Sequence, residues 1–182
     1  MKKQVLVPIA HGIEEIEAVI LIDVLRRAGA QVMVASIEDT LEITASRGVK
    51  LVADTFLKDV KNQTFDLIVL AGGSEGAQAF AQNESLVNLL KAQKQAGRLF
   101  AAMCASPTVV LHAHGLLNDY HATAYPGFYK DFAMPVDAPV VVDKNCITSQ
   151  GPGTTFQFAL TLTEQLFDKA RALKIAQALL LE

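Results

Sequence analysis

Apolar residues recur along the chain in short unbroken runs separated by longer amphipathic stretches. The runs "KQVLVPIA" (3–10), "QVMVASI" (31–37), "FDLIVLAGG" (65–73) and "RLFAAMC" (98–104) have the length of strands. None alternates strictly between apolar and polar, which is the pattern of strands covered on both faces. Between the first two, "EEIEAVILIDVLRRAGA" places Ile16, Val19, Ile20, Val24 and Leu25 at helical spacing, in a helix starting near Gly12 and ending before Gly29. Before the fourth, "ESLVNLLKAQKQAG" reads as another amphipathic helix. Strands that alternate with helices make the sheet largely parallel.

Two sections break this rhythm. "LEITASRGVKLVADT" (41–55) alternates enough for a hairpin or edge strands, and "HATAYPGFYKDFAMPVDAP" (121–139), with three prolines, reads as irregular. "VVVDKNCITSQ" then predicts a hairpin turning at Asp-Lys-Asn. Helical "GTTFQFALTLTEQLF" and "DKARALKIAQALLLE" close the chain. The pattern predicts one α/β domain over 1–182, a flavodoxin-like three-layer sandwich with a largely parallel central sheet. In such sheets ligands bind outside the carboxyl ends of the strands, where the strand order reverses.

Composition narrows the partners. Hydrophobic residues make up 51% of the 182 and charged ones 19%, which leaves apolar surface for a subunit interface. A net charge of -3 supplies no basic field for nucleic acid or anionic membranes. The N-terminus begins like a signal peptide, but its apolar stretch is short, contains Pro8 and runs into Glu14 and Glu15, so a cytoplasmic strand is expected. Cys104 and Cys146 form no Cys-x-x-Cys pattern, which points to reduced thiols and neither a disulfide nor a zinc site.

Three predicted strands end where a ligand would bind: at His11-Gly12, Gly72-Gly73 and Cys104. "FAAMC" leads into "ASPTVVLHAH", so Cys104 stands at a tight strand-to-helix turn, where the N–H groups and positive end of a following helix would lower its pKa. The alternative is a small apolar residue filling space. Glu17 has two readings as well: a buried proton donor and acceptor beside the thiol, or a solvated carboxylate on the outer face. Glu14 and Glu15 read as ordinary first-turn acids, and Cys146 as structural.

The histidines supply no obvious base. His112 and His114 lie roughly 12 and 15 Å along the helix from Cys104, and His-Ala-His alone is a weak metal signature. His11 could reach the crevice; His121 and His11 otherwise read as solvated. Gly72, Gly73 and Gly76 match neither a dinucleotide fingerprint nor a P-loop, and suit a tight turn or an oxyanion-type N–H. Thr154 or Thr155 reads as a helix N-cap after Gly-Pro-Gly.

Taken in order, "EEIEAVILIDVLRRAG", "SRGVKLVAD", "DLIVLAGGSEGAQAF", "AAMCASP" and "SQGPGTTFQFAL" resemble the ThiJ/PfpI superfamily, within it the group of the Parkinson-disease-linked deglycase and its bacterial relatives. The resemblance covers nearly the whole chain. It implies a flavodoxin-like fold, a homodimer, a reactive Cys104 and a protonated Glu17 hydrogen-bonded to it. It further implies Gly73 as backbone donor, with Ala105 and Tyr125 at the site and Arg47 near the dimer interface, approaching the partner's pocket. The implied activity is cofactor-independent and metal-free: a glyoxalase or deglycase acting on small aldehydes or glycated substrates. The alternative is a redox sensor or chaperone working through oxidation of Cys104 to sulfinate. Ala105 stands where the protease branch has histidine, which argues against a peptidase. Tyr125 stands where the human-type branch has histidine near the cysteine, and Ala71 replaces a proline.

Overall fold

The computed structural model describes residues 2–181. In chain order the elements are β1 (Gln4–Ile9), α1 (Glu15–Arg27), β2 (Gln31–Ser36), β3 (Glu42–Thr44), β4 (Lys50–Val52), β5 (Thr55–Phe56), α2 (Leu57–Val60), β6 (Leu67–Leu70) and α3 (Ser74–Gln82). There follow α4 (Glu84–Gln95), β7 (Leu99–Met103), a π-type helical turn (Pro107–His112), β8 (His121–Ala122), β9 (Met134–Pro135), β10 (Val140–Asp143), β11 (Cys146–Ser149), α5 (Thr155–Leu166) and α6 (Lys169–Ala178).

The central sheet has the order β10-β11-β7-β6-β1-β2-β5. All its pairings are parallel except that of β10 with β11. That exception is the hairpin expected at Asp-Lys-Asn, with Lys144 at a φ of 52° in the turn. Helix α1 packs on α5 and α5 on α6, while α3 packs on α4 and the 107–112 turn, so the sheet lies between two helical layers. Every residue of β6 is buried, as are Val5 to Ile9 of β1 and Phe100 to Met103 of β7. Coverage of both faces is why these strands read as continuous apolar runs.

Several expectations change. In α1 the buried face is Glu17, Ala18, Leu21, Val24 and Leu25, and Ile20 is half-buried. Ile16 and Val19, which share the helical spacing of the apolar residues, are 51% and 46% exposed. The helix starts at Glu15 rather than near Gly12, because residues 11–14 form the turn out of β1. Helix α3 was not legible: Gly76 weakens its signal, and the glycine is required because a Cβ there would lie 2.8 Å from the Ile13 backbone. After Cys104 the chain forms a short π-type turn, with bonds from Ala113 N–H to Thr108 O and Leu116 N–H to Leu111 O. It is the helix expected there, wound more widely than an α-helix.

The β3–β4 pair is the predicted hairpin, and β5 returns to the sheet edge beside β2. Phe158, fully buried in α5, lies in the main apolar cluster. Its replacement in Phe158→Ala lowers the unfolding free energy by about 3–5 kcal/mol, measured as a fall in the urea midpoint at unchanged slope.

Candidate active site

Where the sheet order reverses, between β1 and β6, the strand ends bring three segments together: residues 11–14, 71–73 and 104–105. Glu14 N–H donates to the Gly72 carbonyl at 3.0 Å, which fixes the entry of α1 against the end of β6. Glu17 is then carried inward on the same face as Leu21 and Val24, and is fully buried. The solvated outer-face reading of Glu17 is therefore wrong. Its spacing from Leu21 and Val24, four and seven residues, was the signal in the sequence.

Cys104 follows β7 directly, at a φ of 60°. For a side chain with a Cβ this left-handed conformation costs about 1–2 kcal/mol. Two backbone bonds hold it: Cys104 N–H donates to Ser149 O at 3.0 Å, and Tyr125 N–H donates to Cys104 O at 2.9 Å. Behind it, the buried Ser106 hydroxyl donates to Ala71 O at 2.6 Å. The thiol is half-buried, whereas Cys146 is buried in β11, and both cysteines are free.

Gly72 lets the carboxyl and the thiol meet. Its N–H donates to Glu17 Oε2 at 2.6 Å. A Cβ at Gly72 would stand 2.5 Å from the Cys104 Cβ and 3.0 Å from both Sγ and Glu17 Oε2. At Gly73, with a φ of 88°, a Cβ would strike the Gly12 carbonyl. Its N–H and that of Ala105 bond to Cys104.

The electrostatics correct one expectation. Burial, then the negative charge of Glu17, push the Cys104 thiol up to about 12, against the opposing N–H groups of Gly73 and Ala105. An isolated low-pKa elbow thiol is not what this environment makes. Burial also raises Glu17 to about 7, against the bonds from Gly72 and Cys104, with Glu14 adding a repulsive charge. Two groups so close lose their protons in steps, and the charge left by the first resists the second. Glu17 Oε1 is buried without a hydrogen-bond partner, a poor setting for a full carboxylate charge.

Cys104 opens into a cavity of about 510 Å³, and the buried Glu17 lies behind the thiol, outside the cavity lining. Gly73, Cys104, Ala105, Tyr125 and Arg47 all line it, so the structure brings these residues together within one chain. Arg47 lines its own chain's pocket. Sequence reasoning missed Ser46, Ser74, Glu75, Phe128 and Pro152, which also line the wall, and left Glu14 as an ordinary acid. Glu15 is likewise not an ordinary first-turn acid. It is buried, and its carboxylate accepts the Ser46 hydroxyl at 2.8 Å and the Arg47 N–H at 2.8 Å. Burial opposes its charge, but these bonds prevail and hold its pKa below the ordinary value. The result is a clamp of α1 on the 45–49 loop.

None of the histidines lines the cavity. His11 Nδ1 accepts Thr44 N–H, His112 stacks on Phe132, His114 bonds Ala81 O, and His121 pairs with Asp143. Thr154 does not cap α5 through its side chain; its hydroxyl bonds Ser149 and Gly151 instead. Among the described residues no group of three His, Cys, Asp or Glu is placed to hold a metal ion.

Because folding raises the Glu17 pKa from 4.5 to about 7, the native state retains this proton over a pH range in which the unfolded chain releases it. The stability it contributes is complete below about pH 4.5 and is lost as pH rises through 7. Glu17→Gln removes that dependence. The variant gains on the parent by about 3 kcal/mol between pH 4.5 and pH 8, read as the difference between their unfolding free energies across that range.

Comparison with known proteins places this geometry in context. The family model described as the DJ-1/PfpI family matches residues 3–165. Protein DJ-1 homolog B of Arabidopsis thaliana is 48% identical over 179 residues, 97% of this chain and 41% of the relative. This chain thus spans less than half the length of that plant protein, and 47% of its companion homolog A. A Caenorhabditis elegans protein named glutathione-independent glyoxalase DJR-1.2 is 41% identical over 156 residues, 84% of this chain and 82% of the relative. The solved structure of oxidized Toxoplasma gondii DJ-1 superposes with a TM-score of 0.96 at 48% identity, covering 98% of each chain. No helix among the described residues is long and apolar enough to cross a membrane. With a family match over most of its length and these identities, the chain belongs to the DJ-1/PfpI family.

Proposed function

We propose that this chain is a cofactor-independent glyoxalase or deglycase in which Cys104 is the nucleophile and Glu17 the proton carrier. The observation that carries this reading is the buried Glu17 carboxyl against the Cys104 thiol, across a glycine that leaves them nothing in between. The name of the C. elegans relative supports the reaction class.

Glu17 is the first of the pair to release its proton, near pH 7, and as carboxylate it takes the thiol proton as the sulfur attacks. The Gly73 and Ala105 N–H groups favour the charge that develops on the sulfur. The sulfur adds to the aldehyde carbon of methylglyoxal, and the resulting alkoxide takes a proton to give a hemithioacetal. Glu17, as carboxylate, removes the hydrogen from that carbon and returns it to the neighbouring former ketone carbon, while the hemithioacetal hydroxyl proton passes to the former ketone oxygen through the enediolate, leaving a lactoyl thioester. Water then cleaves the thioester to lactate and the free thiol. The sum is methylglyoxal plus water to lactate, with no oxidant or reductant. A carboxyl titrating near 7 suits a group that must both take and give a proton. The Gly73 and Ala105 N–H groups, which act on the sulfur, are the candidate donors for the developing oxyanion. Tyr125 lines the pocket and no histidine does, so Glu17 carries the proton work and turnover is slow.

A second reading, oxidation of Cys104 to sulfenate and sulfinate as a stress signal, draws support from the same N–H groups and from the oxidized state of the T. gondii structure. We place the chain in a reducing, cytoplasmic setting on account of its free, distant cysteines. The homodimer reading rests on the family resemblance and on four exposed apolar side chains, Ile16 and Val19 of α1 and Val49 and Val52 of the 41–55 segment.

Glutathione-free consumption of methylglyoxal with lactate detection tests the reaction. Many turnovers by the parent are expected, with losses of at least about a hundredfold in Cys104→Ser and Glu17→Gln. A folded, reduced parent that makes no lactate overturns the enzyme reading. Val19→Glu is expected to shift sedimentation from dimer to monomer at micromolar concentration, and a monomeric parent overturns the dimer.

A further inference from the structure

We infer that the paired rings of Tyr125 and Phe128 select 2-oxoaldehydes whose ketone carries a flat apolar group, an aryl glyoxal being the simplest, over methylglyoxal. This rests on the reaction proposed above and specifies its substrate class.

The cavity is the first reason. At about 510 Å³ it falls in the range that holds ligands much larger than methylglyoxal, which would leave most of it to water. Its walls are also unequal. Arg47, Ser46, Glu14, Ser74 and Glu75 make one part polar, whereas Tyr125, Phe128 and Pro152 make another apolar. A substrate with oxygens at one end and a flat hydrocarbon at the other matches that division.

The second reason is the state of the two rings. They meet edge to face, with centroids 5.7 Å apart and planes at 66°. Yet Tyr125 remains 47% and Phe128 45% exposed. Among the described residues no third ring and no cation packs on either. A third flat ring inserted at this corner gains both apolar burial and aromatic contact.

The third reason is that the wall is tied to the nucleophile. Tyr125 N–H donates to the Cys104 carbonyl, Phe128 N–H to the Tyr125 carbonyl, each at 2.9 Å, and the Thr108 hydroxyl to the Phe128 carbonyl at 3.0 Å. The Tyr125 ring rests on Gly151, where a Cβ would come within 3.4 Å of it. The distance from sulfur to ring is thereby set by short backbone links, and a substrate held by the rings presents its aldehyde at a defined place.

The test compares kcat/KM for phenylglyoxal, followed as mandelate, with that for methylglyoxal, followed as lactate. Initial rates are taken on the full chain and on Tyr125→Phe, Tyr125→Ala and Phe128→Ala. The parent is expected to favour phenylglyoxal. Both alanine variants lower the phenylglyoxal-to-methylglyoxal ratio by about tenfold, chiefly through KM for the aryl substrate, and Tyr125→Phe retains it. Mandelate inhibits the parent more tightly than lactate, and that margin shrinks in the alanine variants. Methylglyoxal turnover with a ratio unmoved by either alanine, in variants shown folded by their melting curves, overturns the selectivity alone. Turnover of neither substrate overturns the reaction and this selectivity with it.

Discussion

The burial of the Glu17 carboxyl beside the Cys104 thiol is the constraint on which the site depends. A carboxyl without solvent on a core face of α1 is unfavourable unless something retains its proton or meets its charge. Here Gly72 N–H meets one oxygen, and the thiol is the remaining partner. The geometry leaves room for no side chain at Gly72, where Cys104 and the Glu17 carboxyl close the space, and none at Gly73, where the backbone of residues 12–14 does. The same burial raises both groups, so they behave as one proton-holding unit rather than as an activated thiol with a spectator acid.

Around that pair the fold supplies rigidity. The left-handed backbone at Cys104 persists because β11 and the 125–128 segment hold its amide and carbonyl. Glu15 plays a comparable role on the other side, where its carboxylate gathers the hairpin loop and so sets Arg47 at the cavity. The two acids of the first turn thus have different work: Glu15 is ionised and positions a loop, and Glu17 is desolvated and faces the thiol.

Much of the fold was legible because parallel strands covered on both faces leave an unambiguous apolar signature, and β1, β2, β6 and β7 all show it. The two hairpins followed from alternation and turn residues. Helix α3 did not, because a glycine required by close approach to Ile13 reads locally as a loop. The exposure of Ile16 and Val19 was not legible either: an apolar residue on a helix can serve a partner surface as well as a core, and spacing does not distinguish them.

By itself the sequence determined the order of the main strands, hence a parallel sheet with its crevice at the ends of β1, β6 and β7, and several of the residues that crowd there. Hydrophobic periodicity is a local property, and it survives translation into structure because each element must bury its own apolar face. What only the tertiary structure decided is the chemical state of those residues. Whether Glu17 is solvated, whether Cys104 titrates low or high and whether Arg47 reaches the cavity depend on groups far away in sequence. Desolvation and charge coupling act through space, over a few ångströms, and only the folded chain sets those distances.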